Sequence, residues 1–131
     1  MQKLFIFLAL VALSISSAHA SVGDLCSRLL GDRSAEFTFT ETVKKDGQDT
    51  FIIQAKDGKV NISGSSAVAQ ASGLHWYLKH HCHCHVSWNG DQLNLPAKLP
   101  DAAVEKSSPY QHGFYFNYCT FSYTMAWWDW E

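Results

Sequence analysis

The sequence predicts an α+β fold, a small antiparallel sheet packed with one main helix, and three observations carry that expectation. Apolar and polar residues alternate in three short runs between Ala35 and Ser63, the period of half-buried strands. One longer run, from Ser65 to about His81, has helical spacing instead. Two pairs, Asp57-Gly58 and Asn89-Gly90, accept positive φ cheaply and mark hairpins.

The elements follow in order. Residues 1–20 read as a cleavable signal peptide. Lys3 supplies a positive start, and Leu4 to Ile15 is an apolar run too short to span a bilayer. Ala18 and Ala20 give the small-x-small pattern that places the cut after Ala20. The competing reading is a short membrane anchor, but no second apolar run of spanning length occurs in the sequence. The expected location is the secretory pathway, lysosomal or extracellular. Cleavage leaves 111 residues and removes Lys3, which moves the formal charge from −2 to −3. So weak a balance argues against nucleic acid, which needs a basic stripe, and against electrostatic membrane docking.

Val22 to Leu30 reads as a short helix with Leu25, Leu29 and Leu30 on one face and Gly31 at its end. Ala35 to Val43 is a strand, with Phe37 and Phe39 inward and Thr38 and Thr40 outward. Lys44 to Asp49 is a polar turn. Thr50 to Ala55 is a second strand, with Phe51 and Ile53 inward, and Val60 and Ile62 belong to a third. Ser65 or Ser66 caps the main helix, whose inward stripe is Ala67, Ala71, Leu74 and Leu78. Gly73 weakens that helix, and its use is close contact with the sheet. His85 to Trp88 is a fourth strand, with Leu93 and Leu95 on the strand that returns.

Residues 21–96 are therefore expected to form the α+β domain and residues 97–109 a linker. A truncation after Lys98 should leave the thermal transition nearly unchanged. The composition then changes abruptly: Tyr110 to Glu131 holds ten aromatic residues in twenty-two. So dense an apolar segment needs a large partner surface, and it reads as the opening of a second domain, residues 110–131.

Few residues offer chemistry. Cys26, Cys82, Cys84 and Cys119 allow three full disulfide pairings, among which sequence cannot choose. The run His80-His81-Cys82-His83-Cys84-His85 has soft and imidazole ligands for zinc or copper, but its spacing is wrong for a finger or ribbon. The preferred reading is a helix end running into a strand, with the thiols buried and the imidazoles in water. No metal and no cofactor are expected. Asn61-Ile62-Ser63 is a glycosylation sequon, and Asn61 should face outward if Val60 and Ile62 face in. Glycoside hydrolysis needs two carboxylates flanking one bond, and no pair here converges.

Three segments together carry a resemblance. They are Gly73-Leu74-His75-Trp76-Tyr77-Leu78-Lys79, then Cys82 to Trp88, then Asn117-Tyr118-Cys119-Thr120 running on to Trp127-Trp128-Asp129-Trp130-Glu131. In that order and spacing the sequence resembles the amino-terminal region of the α-N-acetylglucosaminidase family, lysosomal glycoside hydrolases of heparan sulfate breakdown. The resemblance implies the small α+β domain followed by an incomplete start of a (β/α)8 barrel, with Phe114 to Thr120 as the first barrel strand. It also implies that Asn117, Cys119 and Tyr123 line the pocket for a terminal N-acetylglucosamine. Gly113, Tyr118 and Phe121 depart from the family's usual residue types. The family's catalytic carboxylates fall later in the barrel, so neither Asp129 nor Glu131 takes their place. The implied function is the amino-terminal part of an enzyme removing terminal N-acetylglucosamine from heparan sulfate, inactive by itself and packing against a barrel domain. The alternative is a secreted, non-enzymatic glycan- or metal-binding module.

Overall fold

The computed structural model describes residues 21–87 and 89–110. The expected signal peptide of residues 1–20, Trp88 and the aromatic segment from Gln111 onward, with the expected barrel strand, lie outside the described residues. Among the described residues no helix is long and apolar enough to cross a membrane.

Helix α1, Val22–Leu30, starts at a capping box. The Ser21 hydroxyl accepts from the Asp24 backbone N–H at 3.1 Å, and the Asp24 carboxylate accepts from the Ser21 N–H at 3.3 Å. Gly31 ends it at φ 56° and ψ −131°, a positive-φ conformation outside the usual αL cap that glycine adopts because it lacks a Cβ. A 3-10 turn over Gly31–Glu36 leads into the first strand.

The main sheet holds β1 (Phe37–Glu41), β2 (Thr50–Lys56), β3 (Lys59–Gly64) and β6 (Ala102–Ser107), in the order β1-β3-β2-β6. Asp57 and Gly58, at φ 53° and 79°, join β2 to β3 as their sequence requires. The sheet is mixed rather than antiparallel. β1 does not pair with β2 but lies parallel to β3, Phe37 opposite Val60 and Phe39 opposite Ile62. Alternation fixes which face of β1 is inward, and both edges of the hairpin offer that face. β1 takes the β3 edge, where its phenylalanines continue the Val60 and Ile62 rows.

The residues expected to form a linker instead complete the sheet. Ala102–Ser107 pairs antiparallel with β2, Ile53 opposite Val104. Leu99 is buried, and the Tyr77 hydroxyl donates to the Pro100 carbonyl at 2.6 Å. The α+β unit therefore runs on past residue 96. The prolines and charges that read as a linker belong to the approach to an edge strand, where such residues are common.

Helix α2, Ala67–His80, is capped by the Ser66 hydroxyl, which accepts from the Ala69 N–H at 3.1 Å. Its buried face is Ala69, Gly73, Leu74, Tyr77 and Leu78, so Leu74 and Leu78 were placed correctly and Ala67 is exposed. The core joins these residues to Ile53, Val60, Ile62, Cys26 and Leu99. After α2 a separate ribbon pairs β4 (His85–Ser87) with β5 (Gly90–Gln92). Ser87 pairs with Gly90, one residue earlier than the Asn89-Gly90 signal placed the turn. Leu93 and Leu95 follow β5 and pack, partly buried, on the core.

Candidate functional site

Side-chain alternation gives the main sheet two unlike faces. Phe37, Val60, Ala55 and Ala102 form one row of the helix-covered face, and Phe39, Ile62, Ile53 and Val104 the next. The opposite face carries Thr38, Asn61, Gln54 and Ala103 in one row, then Thr40, Ser63, Ile52 and Glu105. Its hydroxyls and amides bond across strands. Thr38 and Thr40 donate to Asn61 Oδ1 at 3.3 and 3.5 Å, and Thr40 and Ser63 share a 2.7 Å bond.

Among the described residues, concavities open at three places that concern the candidate chemistry. The first, about 620 Å³, lies on the polar face beside Thr38, Gln54, Asn61, Lys59 and Glu36. The second, about 360 Å³, lies at the other end of the domain, between α2 and the end of β6. It is lined by Phe51, Val68, Trp76, Lys106, Tyr110 and Asp49 among others. The third, about 220 Å³, lies beside Thr42, Lys45 and Glu105.

Each concavity holds a single carboxylate, and each carboxylate is already engaged by a cation. Glu36 takes a two-pronged bond from Arg33, at 2.6 and 2.8 Å. That bond holds the Glu36 carboxyl below its ordinary range. Asp49 lies 3.4 Å from Lys44. Glu105 lies 2.6 Å from the Lys45 ammonium, whose pKa it raises by that hydrogen bond. An acid/base pair for glycoside hydrolysis needs two carboxylates across one bond, one of them kept protonated. None of the three concavities has that arrangement.

The second concavity has a different character. The Phe51 and Trp76 rings lie 6.2 Å apart, the His80 ring lies 4.1 Å from Trp76, and Lys106 Nζ stands 4.9 Å from the Trp76 ring centroid. Val68 and Tyr110 are exposed beside them. Sequence reasoning missed this cluster, although the Trp76 to His80 spacing is the i, i+4 interval that puts two rings on one helix face.

The His/Cys run behaves as a helix end. Cys82 and Cys84 are buried, while His80, His83 and His85 are exposed and His81 stacks on Tyr77 with ring centroids 5.4 Å apart. Burial pushes the Cys82 thiol up to about 11, with the neighbouring Cys84 adding to it. Thiols and imidazoles thus sit on opposite sides of the surface. Among the described residues no group of three His, Cys, Asp or Glu side chains could hold a metal ion. Asn61 lies on the polar sheet face as expected. Asn117, Cys119 and Tyr123 fall outside the described residues.

A mixed sheet covered on one face by two helices defines a small α+β module. Comparison with known proteins says which one. Residues 20–101 match the family described as "Alpha-N-acetylglucosaminidase (NAGLU) N-terminal domain", and the chain belongs to that family. The human protein named α-N-acetylglucosaminidase is 41% identical over 118 residues, covering 85% of this chain and 16% of its own length. A family 89 glycoside hydrolase from Clostridium perfringens, solved in complex with PUGNAc, superposes with a TM-score of 0.71 at 35% identity. It covers 83% of this chain and 13% of its own. The same bacterial hydrolase solved with its substrate GlcNAc-alpha-1,4-galactose gives the same figures, TM-score 0.71 and 35% identity. The chain therefore spans about one sixth of the curated relative's length.

Proposed function

We propose that this chain is the amino-terminal domain of a glycoside hydrolase that removes terminal N-acetylglucosamine from heparan sulfate, exported to the lysosome or cell exterior. The observation that carries the proposal is the 41% identity to human α-N-acetylglucosaminidase over 118 residues. The single, ion-paired carboxylate in each of these concavities agrees with chemistry residing elsewhere in a full-length enzyme. In this reading residues 21–131 hydrolyse nothing alone, and Asn117, Cys119 and Tyr123 contribute to the sugar pocket only once a barrel is assembled around them.

The test compares the purified 21–131 chain with the product of the full-length transcript on a chromogenic α-N-acetylglucosaminide. Turnover is expected from the full-length protein only, and a Tyr123→Ala change there should depress it. Turnover by the 21–131 chain, abolished by a change within it, would overturn the proposal.

The Trp76, Lys106 and Tyr110 concavity favours a second reading, a secreted glycan-binding module, because aromatic rings pack on apolar sugar faces. Saturable quenching of tryptophan fluorescence by N-acetylglucosamine-terminated oligosaccharides, lost in Trp76→Ala, would support that reading instead.

A further inference from the structure

We infer that Asn61 carries an N-linked glycan, and that the polar face of the main sheet is a glycan-bearing, solvent-facing surface. Three observations converge on this residue. Asn61-Ile62-Ser63 has the acceptor pattern, with the hydroxyl residue two positions on. Strand alternation places Val60 and Ile62 in the core and puts Asn61 and Ser63 together on the opposite face. The Asn61 amide also faces the threonines of β1. Its Oδ1 accepts from Thr38 and Thr40 on β1, and among the described residues its Nδ2 has no protein partner.

Modification at that nitrogen breaks no hydrogen bond of the folded domain, and the concavity of about 620 Å³ beside it has room for a first sugar. Gln54 and Thr38 on its rim are exposed and can bond sugar hydroxyls, while Ala103 leaves the far side of the row low. The linkage replaces one Nδ2–H bond with a bond from Nδ2 to the sugar anomeric carbon. The donor is a lipid-pyrophosphate-linked oligosaccharide, whose carbon–oxygen bond breaks so that the lipid pyrophosphate leaves and the amide proton passes to solvent. The side chain projects off the sheet, so β3 keeps both ladders when modified. A glycan here bars protein from covering this face. The rest of a longer chain must then pack at another surface.

The inference rests on export and not on the hydrolase reading. The test expresses the whole 131-residue chain in cultured secretory cells, once with its own leader and once with a borrowed one. Amidase release in heavy-oxygen water converts a glycosylated Asn61 to labelled Asp, read by peptide mass spectrometry. Labelling with both leaders is expected, with the mobility shift lost in Asn61→Gln and Ser63→Ala and occupancy raised in Ser63→Thr. Attachment occurs on the nascent chain, so a variant that folds poorly still reports. An unlabelled Asn61 with both leaders overturns the inference outright. Labelling only with the borrowed leader overturns it for the native chain by removing export, while leaving the hydrolase reading to its own assay.

Discussion

Gly73 of α2 lies so close to the sheet that a Cβ on it would stand 2.8 Å from Ile62 Cγ2 and 3.3 Å from the Phe51 ring. Real side chains do not approach that closely, so Gly73→Ala must push the helix off β3 or force Ile62 from its rotamer. Alanine recovers about 1 kcal/mol of helix propensity, and overpacking costs about 1–3 kcal/mol. The net loss should reach up to about 2 kcal/mol, lowering Tm by up to roughly 8–16 °C for a domain of this size. Combining Gly73→Ala with Ile62→Ala should cost less than the sum of the two, with a coupling of about 0.5–3 kcal/mol. Strict additivity in thermal melts would show that the contact is not the cause.

The need for a glycine at position 73 was legible in the sequence, because a glycine inside a strongly patterned helix requires a packing reason. The hairpin at Asp57-Gly58, a serine cap at Ser65 or Ser66 and the inward faces of the strands were legible for the same kind of reason, since local chemistry decides them. The neighbour of β1 was not, because Phe37 and Phe39 present the same face to either edge. Nor was β6, where Ala102 and Val104 are half-buried against Ile53 and Ala55 and four of six residues are exposed, so the alternation is faint. The polar site at Asn61 was readable from alternation. The cluster of Trp76, His80 and Lys106 needed β6 in place to bring the lysine over the ring.

Stability should fall in acid through Glu36 and Asp24. The Arg33 bond holds the Glu36 carboxyl below its ordinary 4.5, and the Ser21 hydroxyl does the same for Asp24 below 3.8. A depressed folded-state pKa gives stability that is fully present above the unfolded value. It is lost as pH falls through the folded value. Urea midpoints measured from about pH 6 to pH 3 should therefore decline, and Glu36→Gln should flatten part of that slope. An unchanged slope in Glu36→Gln would remove the Arg33 bond from the account.

The buried thiols predict an alkaline limit and a labelling pattern. Burial pushes both Cys26 and Cys82 up to about 11 from the ordinary 9.0, and raises Tyr77 as well. These groups fold in their neutral forms, so their contribution is whole below about pH 9 and is lost as pH climbs toward 11. Melts at rising pH should show that decline, less steeply in Cys26→Ala. At pH near 8, iodoacetamide should label Cys26, Cys82 and Cys84 slowly in the native chain and at once in denaturant. Fast native labelling of any of the three would contradict the burial.

The boundary of the domain gives the sharpest test, because the sequence and the structure place it differently. A cut after Lys98 removes Leu99, which is buried, and β6, which pairs with β2 from Thr50 to Ala55. It also removes Pro100, whose carbonyl accepts from the buried Tyr77 hydroxyl at 2.6 Å. Orphaning such a buried donor costs about 1–3 kcal/mol by itself, and deleting a buried leucine side chain costs about 2–5 kcal/mol more. Together these approach the whole stability of a small domain, about 5–15 kcal/mol. A chain ending at Lys98 should therefore show no cooperative melt by circular dichroism. A chain ending at Tyr110 keeps β6 and the Ser108 N–H bond to the Asp49 carbonyl at 2.7 Å, and should melt cooperatively. Tyr77→Phe in that longer chain leaves the Pro100 carbonyl without its donor and should lose about 1–2 kcal/mol. Equal transitions in the two truncations would detach β6 from the folding unit and restore residues 97–109 as a linker.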